Sequence, residues 1–215
     1  MPVNHEQFTN LRVFEHPLVH DKLSRARNAA TQPAQFRRLL NEIAGLMTYE
    51  VCRELRTART TVRTPMCETS GLILDEPVTL VPILRAGIGM TDGILALLPE
   101  ARVGHIGLYR DEDTLEPVEY YAKMPPDVAE GVVLLVDPML ATGGSASAAV
   151  TLLKKRGCRR IRLICLVSAP EGVARLEKDH PDVLVYSACL DESLNEDGYI
   201  VPGLGDAGDR LFGTQ

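Results

Sequence analysis

Residues 132–145 form a stretch whose sequence is well suited to binding a phosphate. Val132 to Val136 is an apolar run too short for a helix, and Asp137, Pro138 and then Thr142-Gly143-Gly144-Ser145 follow it. The residues after Ser145 have helical periodicity, so the glycines lie at the start of a helix. Unpaired backbone N–H groups and the helix dipole favour an anion there, and glycine lets the anion approach closely. The stretch predicts a phosphate-binding loop; a plain turn between strand and helix is the alternative.

Two arginines follow other apolar segments in the same way. Arg85 comes directly after the run 79–84, and Arg110 lies just beyond the run 103–108. A guanidinium presented at the carboxyl end of a buried strand is suited to holding phosphate oxygens through two parallel hydrogen bonds. The alternative for each is a surface arginine that closes a turn.

The elements that must position these residues alternate between strands and helices. Strands are predicted at 79–84, 103–108, 132–136, 161–167 and 183–188, and helices are predicted to begin near residues 33, 90, 145 and 170. This alternation predicts an α/β fold, a twisted and mainly parallel sheet flanked by helices, in one domain spanning residues 1–215. Since the carboxyl ends of parallel strands share one edge, Arg85, Arg110 and Asp137 are expected to meet there.

Three segments depart from this alternation. Residues 57–78 predict a β-hairpin, and the acidic, aromatic and proline-rich stretch 111–126 predicts either a mobile lid or an ordinary surface hairpin. The tail from Asp191 to Gln215 shows little core pattern. Its residues 203–208 spell G-x-G-x-x-G, but no βαβ unit fits into the seven residues that follow, so this is not a dinucleotide fingerprint. A glycine-dense loop against a flat ligand and a simple tail both stay open.

Composition and charge argue against nucleic-acid-binding and membrane-binding proteins. The net charge of −6 argues against a generic nucleic-acid or membrane-surface binder. The basic cluster 154–162 falls on a helix end without interleaved aromatics, which favours a solvated face over a nucleic-acid site. No apolar run is long enough to span a bilayer, and the amino terminus has no apolar targeting segment, so we expect a cytoplasmic protein with no membrane partner.

Together these segments resemble one known family. Residues 136–145 resemble the phosphoribosyl-diphosphate (PRPP) loop of the type I phosphoribosyltransferases. Many of these carry two adjacent acidic residues in the loop, whereas Pro138 in the second place is typical of the uracil phosphoribosyltransferases. Further matching stretches are 16–19, 81–87, 109–110, 114–117, 169–172 and 198–209.

The resemblance implies the type I phosphoribosyltransferase fold, with a hairpin or lid excursion and a C-terminal hood that binds the base. It implies that Asp137 accepts hydrogen bonds from the ribose hydroxyls and that Arg85 and Arg110 neutralise the diphosphate. The residues implied to bind PRPP are Arg85, Arg110, Asp137, Pro138, Met139, Leu140, Ala141, Thr142, Gly143, Gly144, Ser145 and Asp206. Uracil is implied to contact Ile200, Gly205, Asp206 and Ala207, and the implied catalytic residues are Arg85, Arg110, Asp137 and Asp206.

The implied reaction transfers the phosphoribosyl group of PRPP to N1 of uracil, giving UMP and diphosphate in pyrimidine salvage. Mg²⁺ is the implied cofactor, held mainly through PRPP and water rather than by direct protein ligands. A homodimer or higher homo-oligomer and GTP as a possible effector are further implications. The alternatives are a phosphoribosyltransferase for another base, an RNA-binding regulator on the same fold, and a non-catalytic nucleotide sensor.

Overall fold

A mainly parallel β-sheet forms the centre of the protein. The structure is a computed structural model that describes residues 2–110 and 117–214. In spatial order the sheet contains β1 (Pro2–Asn4), β2 (Leu11–Phe14), β12 (Leu184–Leu190), β11 (Arg160–Ser168), β9 (Val132–Val136), β5 (Val78–Leu84), β7 (His105–Arg110) and β8 (Pro117–Lys123). Short strands β6 (Arg102–Val103) and β10 (Met139–Leu140) pair with β5 and β11. Pairing is antiparallel between β1 and β2 and between β7 and β8, and parallel elsewhere in this sheet. The predicted α/β fold class is confirmed.

Helices cover both faces of the sheet, which explains why its central strands are continuously apolar. The helices are α1 (Pro17–Arg27), α2 (Pro33–Val51), a 3₁₀ helix (Ala86–Met90), α3 (Thr91–Leu95), α4 (Gly144–Lys155), α5 (Pro170–Asp179) and α6 (Ala207–Phe212). Alternate residues of β9 enter two cores. Leu134 belongs to the core that contains residues of α1, α2, α3 and α6. Val133 and Leu135 belong to the core on the other face, which contains residues of α4 and α5. Within the described ranges, no helix is both long enough and apolar enough to cross a membrane.

The segment 57–78 forms the predicted hairpin. Strands β3 (Thr57–Arg63) and β4 (Glu68–Leu74) pair antiparallel as a sheet of their own. Its base is held by the buried carboxylate of Glu76, which accepts a hydrogen bond from the Arg56 backbone and ion-pairs with Arg160. Most residues of both strands are exposed, so the hairpin stands away from the two cores.

The excursion predicted at 111–126 is described only in part. Strand β8 runs antiparallel to β7, so the two strands extend the sheet as a hairpin at its edge. Residues 111–116 lie outside the described residues, and the lid stays a prediction.

The alternative that residues 191–215 are a simple tail was wrong, because part of this segment belongs to the core although its sequence shows little core pattern. Residues 193–194 (β13) and 200–201 (β14) pair with each other, and α6 packs on α2. Ile200, Leu204, Ala207 and Leu211 are buried in the same core as α2. Single apolar residues separated by glycines belong to elements of two to six residues, and such short elements show no helical or strand period.

The packing of α6 predicts that Leu211→Ala destabilises the protein. Leu211 is only 1% exposed, so its truncation leaves a cavity in the core and is expected to cost about 2–5 kcal/mol of unfolding free energy. Urea denaturation measures the change. Leu18→Ala, at a position 53% exposed on α1, is the matched control and should change stability by less than about 1 kcal/mol. Equal effects of the two substitutions would show that the tail does not belong to the core.

Candidate active site

The predicted phosphate loop, residues 137–145, is built into the edge of the sheet. The Asp137 N–H donates to the carbonyl oxygen of Ile164 at 3.2 Å, and the carbonyl oxygen of Pro138 accepts from Leu166 N–H at 3.0 Å. Gly143, with φ of 76°, is the N-cap of α4. The loop therefore ends at a helix N-terminus, as predicted, and presents backbone donors to an anion.

Close contact between backbones fixes the loop against α5. A Cβ added to Gly143 would lie 2.7 Å from the carbonyl oxygen of Gly172, and one added to Gly172 would collide with the carbonyl oxygen of Ala141. Only glycine permits this approach at either position. Residues 169–172, one of the stretches that resemble the family, thus hold the backbone of the phosphate loop in place.

Gly87 makes a similar contact and brings Arg85 to the same edge. A Cβ at Gly87 would lie 2.5 Å from the carbonyl oxygen of Val136, so the turn after β5 packs directly on the end of β9. The peptide bond between Leu84 and Arg85 is cis. The Arg85 side chain is about 59% exposed, which leaves its guanidinium accessible to a ligand.

Asp137 has an electrostatic environment that disfavours its charge. Burial, opposed by a long 3.5 Å hydrogen bond from the Met139 N–H and aided by the negative charge of Asp206, raises the pKa of its carboxyl group to about 7. The residue as a whole keeps some exposed surface even though the surrounding protein encloses its carboxyl group. Asp137 therefore changes charge near neutral pH and is poised to accept hydrogen bonds from a ligand.

Residues of the C-terminal tail also lie at this site. Asp206 caps α6, and its Oδ1 accepts a hydrogen bond from the Asp209 N–H at 2.8 Å. Arg85 Nη2 lies 3.7 Å from Asp209 Oδ1, and its guanidinium lies 5.8 Å from the centre of the Phe212 ring. The structure thus brings together Arg85, Asp137 and Asp206, although they are far apart in the sequence.

We call residues 200–207 the base loop. It contains a cis peptide between Val201 and Pro202, and its Gly203 and Gly205 adopt positive φ angles of 59° and 75°. The side chains of Ile200 and Ala207 are buried in the core, whereas Gly205 is exposed. A flat ligand at this loop would therefore meet main-chain groups rather than those two side chains.

The remaining predicted residue, Arg110, ends β7 beside β5 and is described by its backbone alone. Sequence reasoning missed Arg27 and Asp191, which form an ion pair beneath the base loop. Asp191 directly follows a buried strand, as Asp137 does, and this shared position was the signal that could have identified it.

The fold and the loop define a class of protein, the type I phosphoribosyltransferases. The adenine phosphoribosyl transferase of Trypanosoma brucei has the same fold, with a TM-score of 0.60 and 11% identity over 92% of this chain and 90% of that one. A solved protein structure from Aquifex aeolicus is closer, with a TM-score of 0.90 and 36% identity over 94% of this chain and 97% of its own.

The profile of the family "Uracil phosphoribosyltransferase" matches residues 13–214. The uracil phosphoribosyltransferase of Clostridium perfringens is 59% identical over 201 residues, covering 93% of this chain and 96% of its own. That of Macrococcus caseolyticus is 57% identical over 206 residues, covering 95% and 99%. The chain belongs to the uracil phosphoribosyltransferase family, which confirms the resemblance.

The raised pKa of Asp137 predicts how Asp137→Asn changes stability. Because the folded-state pKa of about 7 exceeds the ordinary value of 3.8, the ionised carboxylate destabilises the ligand-free protein as pH rises. Asparagine removes this penalty, so the melting temperature of the variant should exceed that of the parent by an amount that grows from pH 5 to pH 7 and is constant above about pH 8.

Asp182→Asn is the control, because its effect on stability is expected to have the opposite sign. The hydrogen bond from Lys154 holds the pKa of Asp182 below its ordinary value, so its charge stabilises the fold above that value. This variant should lose stability at pH 8 and change less in strong acid. A difference in melting temperature for Asp137→Asn that is the same at every pH would contradict the assignment.

Proposed function

We propose that this protein transfers the phosphoribosyl group of PRPP to N1 of uracil, forming UMP and diphosphate in pyrimidine salvage. The observation that carries this proposal is the convergence of the phosphate loop, Asp137, Arg85 and the base loop at one edge of the sheet. A ribose phosphate, a leaving group and a base each have a candidate subsite there. Membership of the uracil phosphoribosyltransferase family supports the same reaction.

The phosphate loop would bind the ribose phosphate. Backbone N–H groups of residues 141–145 would cradle the 5′-phosphate at the N-terminus of α4, where the helix dipole favours negative charge. Asp137 would accept hydrogen bonds from the ribose hydroxyls, and these bonds are stronger when the carboxyl group is ionised. Binding of PRPP would therefore favour the ionised form of Asp137.

Arg85 and Arg110 would bind the diphosphate. Guanidinium groups match pairs of phosphate oxygens, and they stabilise the charge that develops on the leaving group. Among the described residues, no group of three or more acidic, histidine or cysteine side chains could enclose a metal ion. This is compatible with an Mg²⁺ ion held mainly through PRPP and water, and the negative charges of Asp137 and Asp206, which interact with each other, would favour a cation nearby. When bound, Mg²⁺ supplies further neutralisation of the diphosphate.

The displacement would proceed without a covalent enzyme intermediate. N1 of uracil attacks C1′ on the face opposite the diphosphate, the bond from C1′ to the diphosphate oxygen breaks, and the configuration at C1′ inverts. Positive charge develops on the ribose, as in glycosyl transfer generally. Positioning of the two substrates and electrostatic stabilisation then supply catalysis. Asp206 is the proposed acceptor of the N1 proton, since its capping hydrogen bond uses Oδ1 and leaves Oδ2 available.

Choice of base would depend on the main chain of residues 205–207. We propose that these groups donate to O4 of uracil and accept from its N3–H. Cytosine presents the reverse arrangement of donor and acceptor at these positions. A mismatched base leaves buried polar groups unpaired, at about 1–3 kcal/mol for each group.

A base panel tests the proposed reaction. The protein is incubated with PRPP, Mg²⁺ and uracil, cytosine, adenine or hypoxanthine, and the nucleotide and diphosphate formed are measured. Uracil should be used at least about tenfold more efficiently than cytosine. Asp137→Asn, which keeps the shape of the side chain, should remain folded and lose most of the turnover. Binding of PRPP without release of diphosphate, or comparable use of cytosine, would contradict the proposal.

We also propose that the protein is a homodimer or higher homo-oligomer. A two-stranded hairpin has little stability of its own in water, yet β3, β4 and the turn between them expose large apolar side chains. These are Val62, Met66, Leu72, Ile73 and Leu74. Elsewhere on the surface, a groove of about 660 Å³ between α2 and α3 is lined partly by Leu46, Tyr49 and Leu97.

Sedimentation velocity tests the oligomer. Leu72→Arg should shift the protein toward monomer because the residue is 69% exposed and its burial in an interface would be disrupted by charge. Thr69→Arg places the same charge at an exposed position of the same strand and should have a smaller effect. A wild-type protein that sediments as a monomer would contradict the proposal. Activation by GTP and a cytoplasmic location stay predictions, and GTP can be added to the base panel.

A further inference from the structure

An ion pair between Arg27 and Asp191 holds the backbone of the base loop, although neither residue belongs to that loop. Arg27 is the last residue of α1, and Asp191 directly follows β12. The guanidinium of Arg27 binds the carboxylate through two hydrogen bonds, from Nη2 to Oδ1 at 2.5 Å and from Nη1 to Oδ2 at 2.8 Å. The carboxylate is almost wholly buried, at 2% exposure. This paired geometry fixes both side chains in orientation as well as in distance.

The same two side chains bind both polar backbone groups of Gly203. The Gly203 N–H donates to Asp191 Oδ2 at 2.9 Å, and the Gly203 carbonyl oxygen accepts from Arg27 Nη1 at 2.7 Å. Gly203 is buried, and a Cβ there would collide with the carbonyl oxygen of Ile200. The chain turns sharply at this point, and its backbone hydrogen bonds depend on the ion pair.

The pair is charged at neutral pH. Burial by itself would raise the pKa of Asp191, but hydrogen bonds from Arg27 and from neighbouring groups outweigh burial and hold it below the ordinary value. The hydrogen bonds that Arg27 donates to Asp191 in turn raise the pKa of Arg27. Loss of either partner would leave an unpaired charge next to the base loop.

A second arginine secures the next residue of the loop. Arg210 donates from Nη1 to the carbonyl oxygen of Leu204 at 2.6 Å and from Nη2 to that of Asn28 at 2.7 Å. Its guanidinium packs 4.2 Å from the centre of the Phe36 ring. Two consecutive carbonyl groups, at residues 203 and 204, are therefore fixed immediately before Gly205.

We propose that Arg27 and Asp191 are positioning residues for the nucleobase: by fixing the backbone of Gly203, they orient the main-chain groups of residues 205–207 that select uracil. This inference rests on the proposed transfer of phosphoribose to uracil. A displacement of about 1 Å in such groups is enough to weaken hydrogen bonds to a rigid ligand substantially. The phosphate loop, which supplies most of the residues proposed to bind PRPP, is held by β11 and α5 instead, so PRPP binding should depend much less on the pair than uracil binding does.

Steady-state kinetics of Arg27→Ala test the proposal. The KM for uracil should rise about tenfold to hundredfold, since the Gly203 carbonyl and Asp191 lose their partner, while the KM for PRPP changes by less than about threefold. Arg25→Ala is the matched control, because Arg25 lies on the same helix and pairs with Asp21 at the exposed surface. It should leave both KM values unchanged.

Arg27→Lys provides a conservative variant. Lysine keeps the charge but cannot supply the fork that binds Asp191 and Gly203 together, so its KM for uracil should lie between those of the parent and Arg27→Ala. If Arg27→Ala does not fold, the lysine variant carries the test through the same comparison of KM values. Equal increases in both KM values, or a fall in kcat alone, would indicate a general structural role and overturn the proposal. Wild-type protein that fails to convert uracil would instead refute the proposed function.

Discussion

The site depends on how closely backbone can approach backbone at the carboxyl edge of the sheet. Gly172 lets the first turn of α5 rest on the phosphate loop, and Gly87 lets the turn after β5 rest on the end of β9. Side chains at these positions would separate the turns, since protein interiors are close-packed. The positions of Arg85 and Asp137 relative to each other therefore follow from two contacts that contain no functional side chain.

The tail completes the site because it is part of the core. Leu211 and its buried neighbours anchor α6 to α2, and this helix places Asp206 near Asp137 and Asp209 near Arg85. Arg27 and Arg210 then hold the intervening backbone by hydrogen bonds. The backbone of this glycine-rich loop is thus held by side chains from other elements as well as by its own residues.

The electrostatics of the site are arranged for a ligand rather than for stability. Asp137 is enclosed near Asp206, so its negative charge is unfavourable in the ligand-free protein. Hydroxyl groups and a cation brought by a substrate would offset this cost. Such an exchange of stability for binding is common in active sites. Asp191 shows the contrast, because Arg27 compensates its burial permanently within the protein.

The sequence by itself determined the alternation of strands and helices, the phosphate loop and the strand-end positions of Arg85 and Asp137. Those features depend on local periodicity and on residue types at turns, both of which can be recognised in the sequence without a structure. Only the tertiary structure decided that the tail is buried, that Asp206 lies near Asp137, and that Arg27 and Asp191 hold Gly203. These pairings join residues that are distant along the chain, and a single sequence carries no local pattern from which such contacts can be read.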